Sequence, residues 1–214
     1  MPCEIAQSVL MTDAHTPPAE DVERQTGIAL LVARARTGDA AAFEELMICT
    51  QHRVVATAWR MLGDREDARD AAQEVYLRVF KYLARYDPRQ DFHGWLYRIT
   101  LNVCHDAARK RRTRDEGSDW FDAPAHEQTA AHASDVEAQT LRAQQRALVA
   151  QALQTLPAKE RAALVLRDLE GLSTEEVAHI LRSRPVTVRS QISSARAKLK
   201  LHCDRLLRKG GRHA

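Results

Sequence analysis

Apolar residues recur along this chain three and four positions apart, and no stretch alternates every second residue as a half-buried strand would. Ile28, Leu31, Val32 and Ala35 open the pattern, Gly38 interrupts it, and Phe43, Leu46, Met47, Val54, Val55, Ala58, Trp59 and Leu62 resume it up to Gly63. In EDARDAAQEVYLRVFKYL, winding at about 100° per residue gathers Ala68, Ala72, Val75, Tyr76, Val79 and Leu83 on one side. The Asp-Pro of ARYDPRQDFHGW reads as a loop. GWLYRITLNVCHDAARKRR then returns to helix, with Leu96, Ile99, Val103 and Ala107 inward. Together these segments predict a small helical bundle.

A second set of helices begins near Val136. Leu141, Leu148, Val149, Ala152 and Leu153 form one predicted face, and Pro157 suits the first turn of a helix that carries Ala162, Val165, Leu166 and Leu169 to Gly171. Ser173 followed by Glu176 is a capping box, which starts a short helix with Val177, Ile180 and Leu181 inward. In RPVTVRSQISSARAKLK, Val188, Ile192, Ala195 and Leu199 form one stripe, and Arg189, Ser193, Arg196 and Lys200 another. A short capped helix, a tight turn and a longer amphipathic helix with a basic face are the parts of a helix-turn-helix, whose second helix enters the major groove. The basic stripe is therefore expected to face DNA, with Thr187 and Ser190 near its start.

Composition supports an all-α chain: of 214 residues only 5% are aromatic, and Ala, Leu, Arg, Glu and Gln dominate. No apolar run approaches the ~18 residues of a membrane span, and the first residues lack the basic start and apolar core of a secretion signal. A cytoplasmic location is expected. Cys3, Cys49, Cys104 and Cys203 lack paired spacing, so reduced thiols are expected in place of a zinc site or disulfide framework.

Net charge is only +3, but ARKRRTR and the stretch from Arg182 to Arg212 are basic, and an acidic segment containing Asp115, Glu116, Asp119, Asp122 and Glu127 lies between them. Arg98, Asn102, His105, Arg109 and Arg112 share one helix stripe, with Tyr86, Phe92, Trp95 and Tyr97 close by in sequence. That combination suits phosphates and unstacked bases, and equally an ordinary basic face over core aromatics. Leu77 points away from its core among Asp70, Gln73, Glu74 and Lys81, either as an unremarkable exposed leucine or as the apolar anchor of an acidic patch for a basic partner protein. No phosphate-binding loop, metal cluster or nucleophile motif is present, so neither catalysis nor a cofactor or metal is expected.

DREDARDAAQEVYLRVFKYL, FHGWLYRITLNVCHDAARKRR and LPAKERAALVLRDLEGLSTEEVAHILRSRPVTVRSQISSARAKLK, in that order, resemble bacterial sigma-70 family factors of the extracytoplasmic-function group. The resemblance implies two small helical modules joined by a flexible acidic linker: a mobile tail over 1–27, region 2 over 28–112, a linker over 113–137, region 4 over 138–207 and a basic tail over 208–214. It implies a factor that binds the beta-prime and beta subunits of core RNA polymerase, directs promoter recognition, minus-10 melting and transcription initiation, and is held inactive by an anti-sigma protein, often from the membrane.

By the same resemblance, Asp70, Gln73, Glu74 and Leu77 dock on the beta-prime coiled coil. Tyr86 and Asn102 form a pocket for a flipped minus-10 base, with Arg98, Arg109 and Arg112 on phosphates. Thr187, Arg189, Ser190 and Arg196 coincide with family positions on the helix that reads the minus-35 duplex, and Ser193 and Lys200 of the basic stripe are expected to face it beside them. The linker would thread the polymerase cleft, with Trp120 and Phe121 as anchors to polymerase or to a regulator, although its composition fits a plain flexible spacer equally well. Arg182, Ser183, Pro185, Val186, Gln191, Ser193 and Ser194 depart from common family residues, so promoter preference does not carry over. The competing reading is a free-standing helix-turn-helix regulator that binds duplex DNA without joining polymerase.

Overall fold

The computed structural model describes residues 19–116 and 147–210, with side chains for 27–113 and 147–205. Among these residues the ordered elements are helical. The first module contains α1 (Ala19–Arg36), α2 (Ala40–Leu62), α3 (Arg65–Leu83) and α4 (Phe92–Glu116). Helix α2 is the centre, packed against the other three. Short polar caps set the helix boundaries. The Asp39 carboxylate accepts from the Ala42 backbone N–H, and the Asp64 carboxylate accepts from those of Glu66 and Asp67. Gly63 ends α2 at φ 81°, where a side chain would be strained and would also strike Gln154 of the second module.

Leu46, Val54, Ala58 and Met61 of α2 meet Ala68, Ala72, Val75 and Val79 of α3 and Leu96 and Val103 of α4 in one apolar core. The predicted inward faces of α3 and α4 are the buried ones, with Tyr76, Ile99 and Ala107 partly covered. Tyr76 and Thr50 join hydroxyls at 3.0 Å, which satisfies polar atoms that the core would otherwise strand. Two boundaries differ from the sequence reading: α1 starts at Ala19, inside the stretch read as a tail, and α4 runs to Glu116, four residues past Arg112. The rest of the tail, and the linker with Asp119, Trp120, Phe121, Asp122 and Glu127, lie outside the described residues.

The second module is built from α5 (residues 147–154), α6 (Ala158–Leu164), α7 (Thr174–Ile180) and α8 (Pro185–Gly210). One predicted face is corrected here. Leu153 is buried as predicted and Ala152 is half-buried, but Leu148 and Val149 are exposed and Ala150 turns inward in their place, on the side from which Gln154 reaches the end of α2; Leu141 lies outside the described residues. Ser173 and Glu176 form the predicted capping box, each side chain bonded to the other's backbone N–H. Val188, Ile192 and Ala195 are buried and Leu199 is half-buried, so the docking stripe of α8 is the expected one.

Between α6 and α7 the chain widens into a π-helical turn, Val165–Leu169. Its closing bond runs from the Glu170 N–H to the Val165 carbonyl, five residues back, and Gly171 at φ 76° then redirects the chain. The inserted turn shifts Glu170 from where an α-helix would leave it. It brings that carboxylate against the first module.

Candidate nucleic-acid and protein interfaces

Four surfaces bear candidate functional residues, and the first lies on α3. Asp70, Gln73 and Leu77 are exposed, Leu77 to 66%. Glu74 is half-buried and accepts from Arg78 at 2.7 Å, while the same guanidinium reaches Asp106 of α4 at 3.2 Å. The Glu74 hydrogen bond, ahead of the other influences, holds the Arg78 pKa above its ordinary value. Phe80, one helical turn from Leu77, is 70% exposed and meets the Phe43 ring edge-on at 5.3 Å between centroids. Leu77 and Phe80 make a larger apolar face than the sequence reading recognised. The i, i+3 spacing of two outward apolar residues was the available signal.

The second surface is the outer stripe of α4. Asn102, His105, Arg109 and Arg112 are exposed along it, and Arg98 at its start is half-buried. Tyr86 stands apart from these residues. Its ring is 5% exposed, edge-on to Phe92 at 5.7 Å, and its hydroxyl donates to the Gln90 carbonyl. Burial, then the nearby Asp91 and Asp87, raise its pKa to about 12. Tyr86, Phe92 and Trp95 thus form an aromatic cluster beneath the loop that joins α3 to α4. Tyr97, which the sequence offered for stacking on bases, is buried and points to the second module.

The third surface is α8. Thr187, Arg189, Ser190, Ser193, Arg196 and Lys200 are all exposed on the side away from its buried stripe. Two of these arginines are engaged by acids of their own module. Arg189 donates to Glu175 of α7 at 3.1 Å, and Arg196 forms a two-pronged pair with Asp168, at 2.7 and 2.9 Å. Asp168 is only 5% exposed at its side chain, so Arg196 both faces outward and clamps α8 to the π-helical turn. Val186, 71% exposed at the start of α8, widens the face with an apolar surface that the sequence reading left out.

The fourth surface is the contact between the modules. Glu170 is held by Thr57 at 2.9 Å, by the hydroxyl of Tyr97 at 2.6 Å and by Arg60. Burial first and Glu170 second drive the Tyr97 pKa well above that of an ordinary phenol. Arg161 donates to the Met61 carbonyl, Gln154 to the Arg60 carbonyl at 3.1 Å, and Arg98 to the His179 carbonyl at 3.1 Å. At the open rim, Arg98 faces Arg182, whose backbone is left-handed at φ 51°; burial, and after it this like charge, lowers the Arg98 pKa. No described helix is long and apolar enough to cross a membrane.

Comparison with known proteins assigns both modules. The family profile Sigma-70 region 2 matches residues 46–114, and Sigma-70, region 4 matches residues 146–199. The chain is 36% identical over 184 residues to the RNA polymerase sigma-H factor of Pseudomonas aeruginosa, covering 83% of this chain and 94% of that one. It is 32% identical over 184 residues to the ECF RNA polymerase sigma-E factor of Escherichia coli K12, covering 84% and 96%. Among solved structures, CnrH in complex with the cytosolic domain of CnrY aligns with a TM-score of 0.61 at 27% identity, covering 83% of this chain and 97% of that one. The sigma factor RpoE of Bartonella quintana, in complex with the anti-sigma factor NepR, shares the fold with a TM-score of 0.58 at 22% identity, covering 74% and 94%.

Proposed function

The chain belongs to the sigma-70 family of RNA polymerase factors, in its extracytoplasmic-function group, and from that premise we propose how its surfaces divide the work of transcription initiation. It is an initiation factor and not an enzyme: core RNA polymerase makes the phosphodiester bonds, and this chain binds polymerase and promoter. The proposed assignment is a region 2 module over residues 28–112, a region 4 module over 138–207, and a connecting segment over 113–137. It acts in the cytoplasm, where core polymerase and DNA are.

Asp70, Gln73, Glu74 and Leu77, extended by Phe80, form the face that docks on the coiled coil of the beta-prime subunit. A protruding apolar pair ringed by acids suits a partner that is basic around an apolar groove. The exposed Leu77–Phe80 face is the observation that carries this reading, because burial in the chain's own core does not explain it. Asn102 is the candidate for contacting an unstacked minus-10 base, and Arg109 and Arg112 for neighbouring phosphates. Pulling a base from the stack costs a few kcal/mol, which polymerase contacts and this charged face together offset. Tyr86 acts from below, by shaping the loop, since its buried ring offers no open face to a base.

On α8, Thr187, Ser190 and Ser193 are the candidates for base edges, Arg189 and Lys200 for the duplex, and Arg196 for a phosphate while it stays on Asp168. An anti-sigma protein is the proposed regulator, supported by the partners named for the CnrH and RpoE structures. The free-standing regulator reading leaves the first module without a task. Co-elution with core RNA polymerase separates the two. Wild type is expected to co-elute, and Glu74→Lys with Leu77→Arg is expected to weaken binding by about 30-fold or more, the scale of losing a central anchor. Failure of the wild type to bind core enzyme would refute the assignment.

A further inference from the structure

Winding α8 at about 100° per residue separates its central outer line from its basic flanks. Val188, Ile192 and Ala195 face the module's own core. Directly opposite run Val186, Ser190, Ser193 and Ala197, all exposed. Arg189 and Arg196 lie to one side of that outer line and are held there, Arg189 by Glu175 at 3.1 Å and Arg196 by Asp168 at 2.7 and 2.9 Å. On the other flank Lys198 is paired with Glu160 at 2.7 Å. Acids of the module thus draw these long basic side chains off the centre of the face. The centre itself is short and uncharged.

Short central residues let the helix backbone come close to base edges, and the hydroxyls of Ser190 and Ser193 can bond to them. Val186 offers something different. It lies in the first turn of α8, the part of a recognition helix that meets base edges. It is 71% exposed, more than any other large apolar side chain among the described residues. Packing does not call for it, because the buried stripe of α8 runs along the opposite side. Helix formation does not call for it either, since a β-branched residue is a poorer helix former than alanine. The base-pair group that complements a branched hydrocarbon in the major groove is the C5-methyl of thymine. Against an amino or carbonyl edge, Val186 would displace water and return no hydrogen bond.

We propose that Val186 is a specificity-determining residue that reads the C5-methyl of a thymine in the minus-35 duplex, so that the face selects this base by hydrocarbon contact. The proposal rests on the assignment of α8 to that duplex. Arg189 and Arg196, fixed on one flank, secure the helix in the groove, and the uncharged central line discriminates between bases. Rejection of other bases comes from the same side chain, through the polar groups it would leave without water.

The test uses the full-length chain bound to core RNA polymerase, and a pool of promoter duplexes randomised over the minus-35 element. Selection with the wild type is expected to fix a thymine at one position, and selection with Val186→Ala to relax that position. In the selected duplex, deoxyuridine in place of that thymine removes the methyl alone. Wild type is expected to bind the deoxyuridine duplex about fourfold more weakly, the share of one buried methyl group. Val186→Ala is expected to bind the thymine duplex more weakly by a similar factor and to distinguish the two duplexes by less than about 1.5-fold, so that the two losses do not add. Val186→Ile, which keeps the branch, is expected to retain the preference.

If wild type binds both duplexes equally, or if Val186→Ala keeps the full difference between them, the methyl is not read by Val186 and the proposal fails. Enrichment of a minus-35 sequence that contains no thymine overturns the Val186 reading alone. A pool from which the wild-type holoenzyme enriches no minus-35 sequence refutes the assignment of α8 itself, and the Val186 reading falls with it.

Discussion

The basic face of α8 is anchored to its own module, whereas the basic face of α4 is not built that way. Arg196 and Arg189 on α8 are paired with Asp168 of the π-helical turn and Glu175 of α7, so their guanidinium groups are held in place by their own module. On α4, Arg109 has only a distant partner, Asp106 at 3.6 Å, and is 79% exposed at its side chain. Arg98 is committed across the module boundary. A rigid duplex groove rewards side chains fixed in advance, and a distorted, unstacked strand rewards side chains that adapt. The same residue type is therefore tied within its own module on α8, while on α4 it is either bonded across the module boundary, as Arg98 is, or left largely to solvent, as Arg109 is.

Arg196→Ala breaks this contrast most directly. It leaves Asp168 buried without its partner, and with Arg196 itself 43% exposed the expected cost to the second module is about 2 kcal/mol, less than for a wholly buried pair. Thermal unfolding checks it; a loss confined to DNA binding would mean that the clamp is only a surface pair. Ser173→Ala comes next. It removes the side-chain acceptor for the Glu176 N–H that starts α7, and an expected cost of about 1 kcal/mol would be read in a urea titration.

Arg109→Ala probes the other face. Its expected effect on stability is within about 0.5 kcal/mol. The slope of log affinity against log salt for the polymerase-bound chain on DNA is expected to fall by about 1, as for one lost phosphate contact. An unchanged slope would take Arg109 off the DNA face.

The smallest effect concerns pH. His93 is half-buried with Nδ1 3.1 Å from Arg53, and burial first, then that guanidinium, hold its pKa below the ordinary 6.5. A depressed folded-state value favours the neutral ring in the fold, so its contribution to stability is full above about pH 6.5 and is lost as pH falls through the folded value. Melting temperatures followed from pH 7.5 down to 5 are expected to fall less steeply in His93→Gln than in wild type. Parallel curves would remove His93 from the account.

Leu77 shows what patterning reveals and what it misses. Its outward direction followed from helical winding alone, because Val75 and Val79 fixed which side of α3 is inward. Phe80 follows the same winding, but only the tertiary structure decides how much of its ring stays open, because Phe43 covers one edge and leaves the rest to solvent. Tyr86 and Tyr97 were harder. Each follows a run of polar and aromatic residues near the loop, and sequence gives no sign of which aromatic ring goes under the loop, which goes between modules and which stays at the surface. Leu148 and Val149 were hard to place for a related reason: over residues 147–154 alanines stand on more than one side, two neighbouring faces are nearly equal in apolar character, and contact with α2 chose between them.

By itself the sequence determined the all-α class, the inward stripes of α3, α4 and α8, the capping box at Ser173 and the helix-turn-helix, because these depend on residues within one or two turns of each other. Only the tertiary structure decided that Glu170 would be buried, since its partners Thr57 and Tyr97 lie 113 and 73 residues away. A carboxylate on a polar turn looks solvated in any local window. What makes it a contact is a π-helical turn that shifts its direction and a second module that supplies the donors.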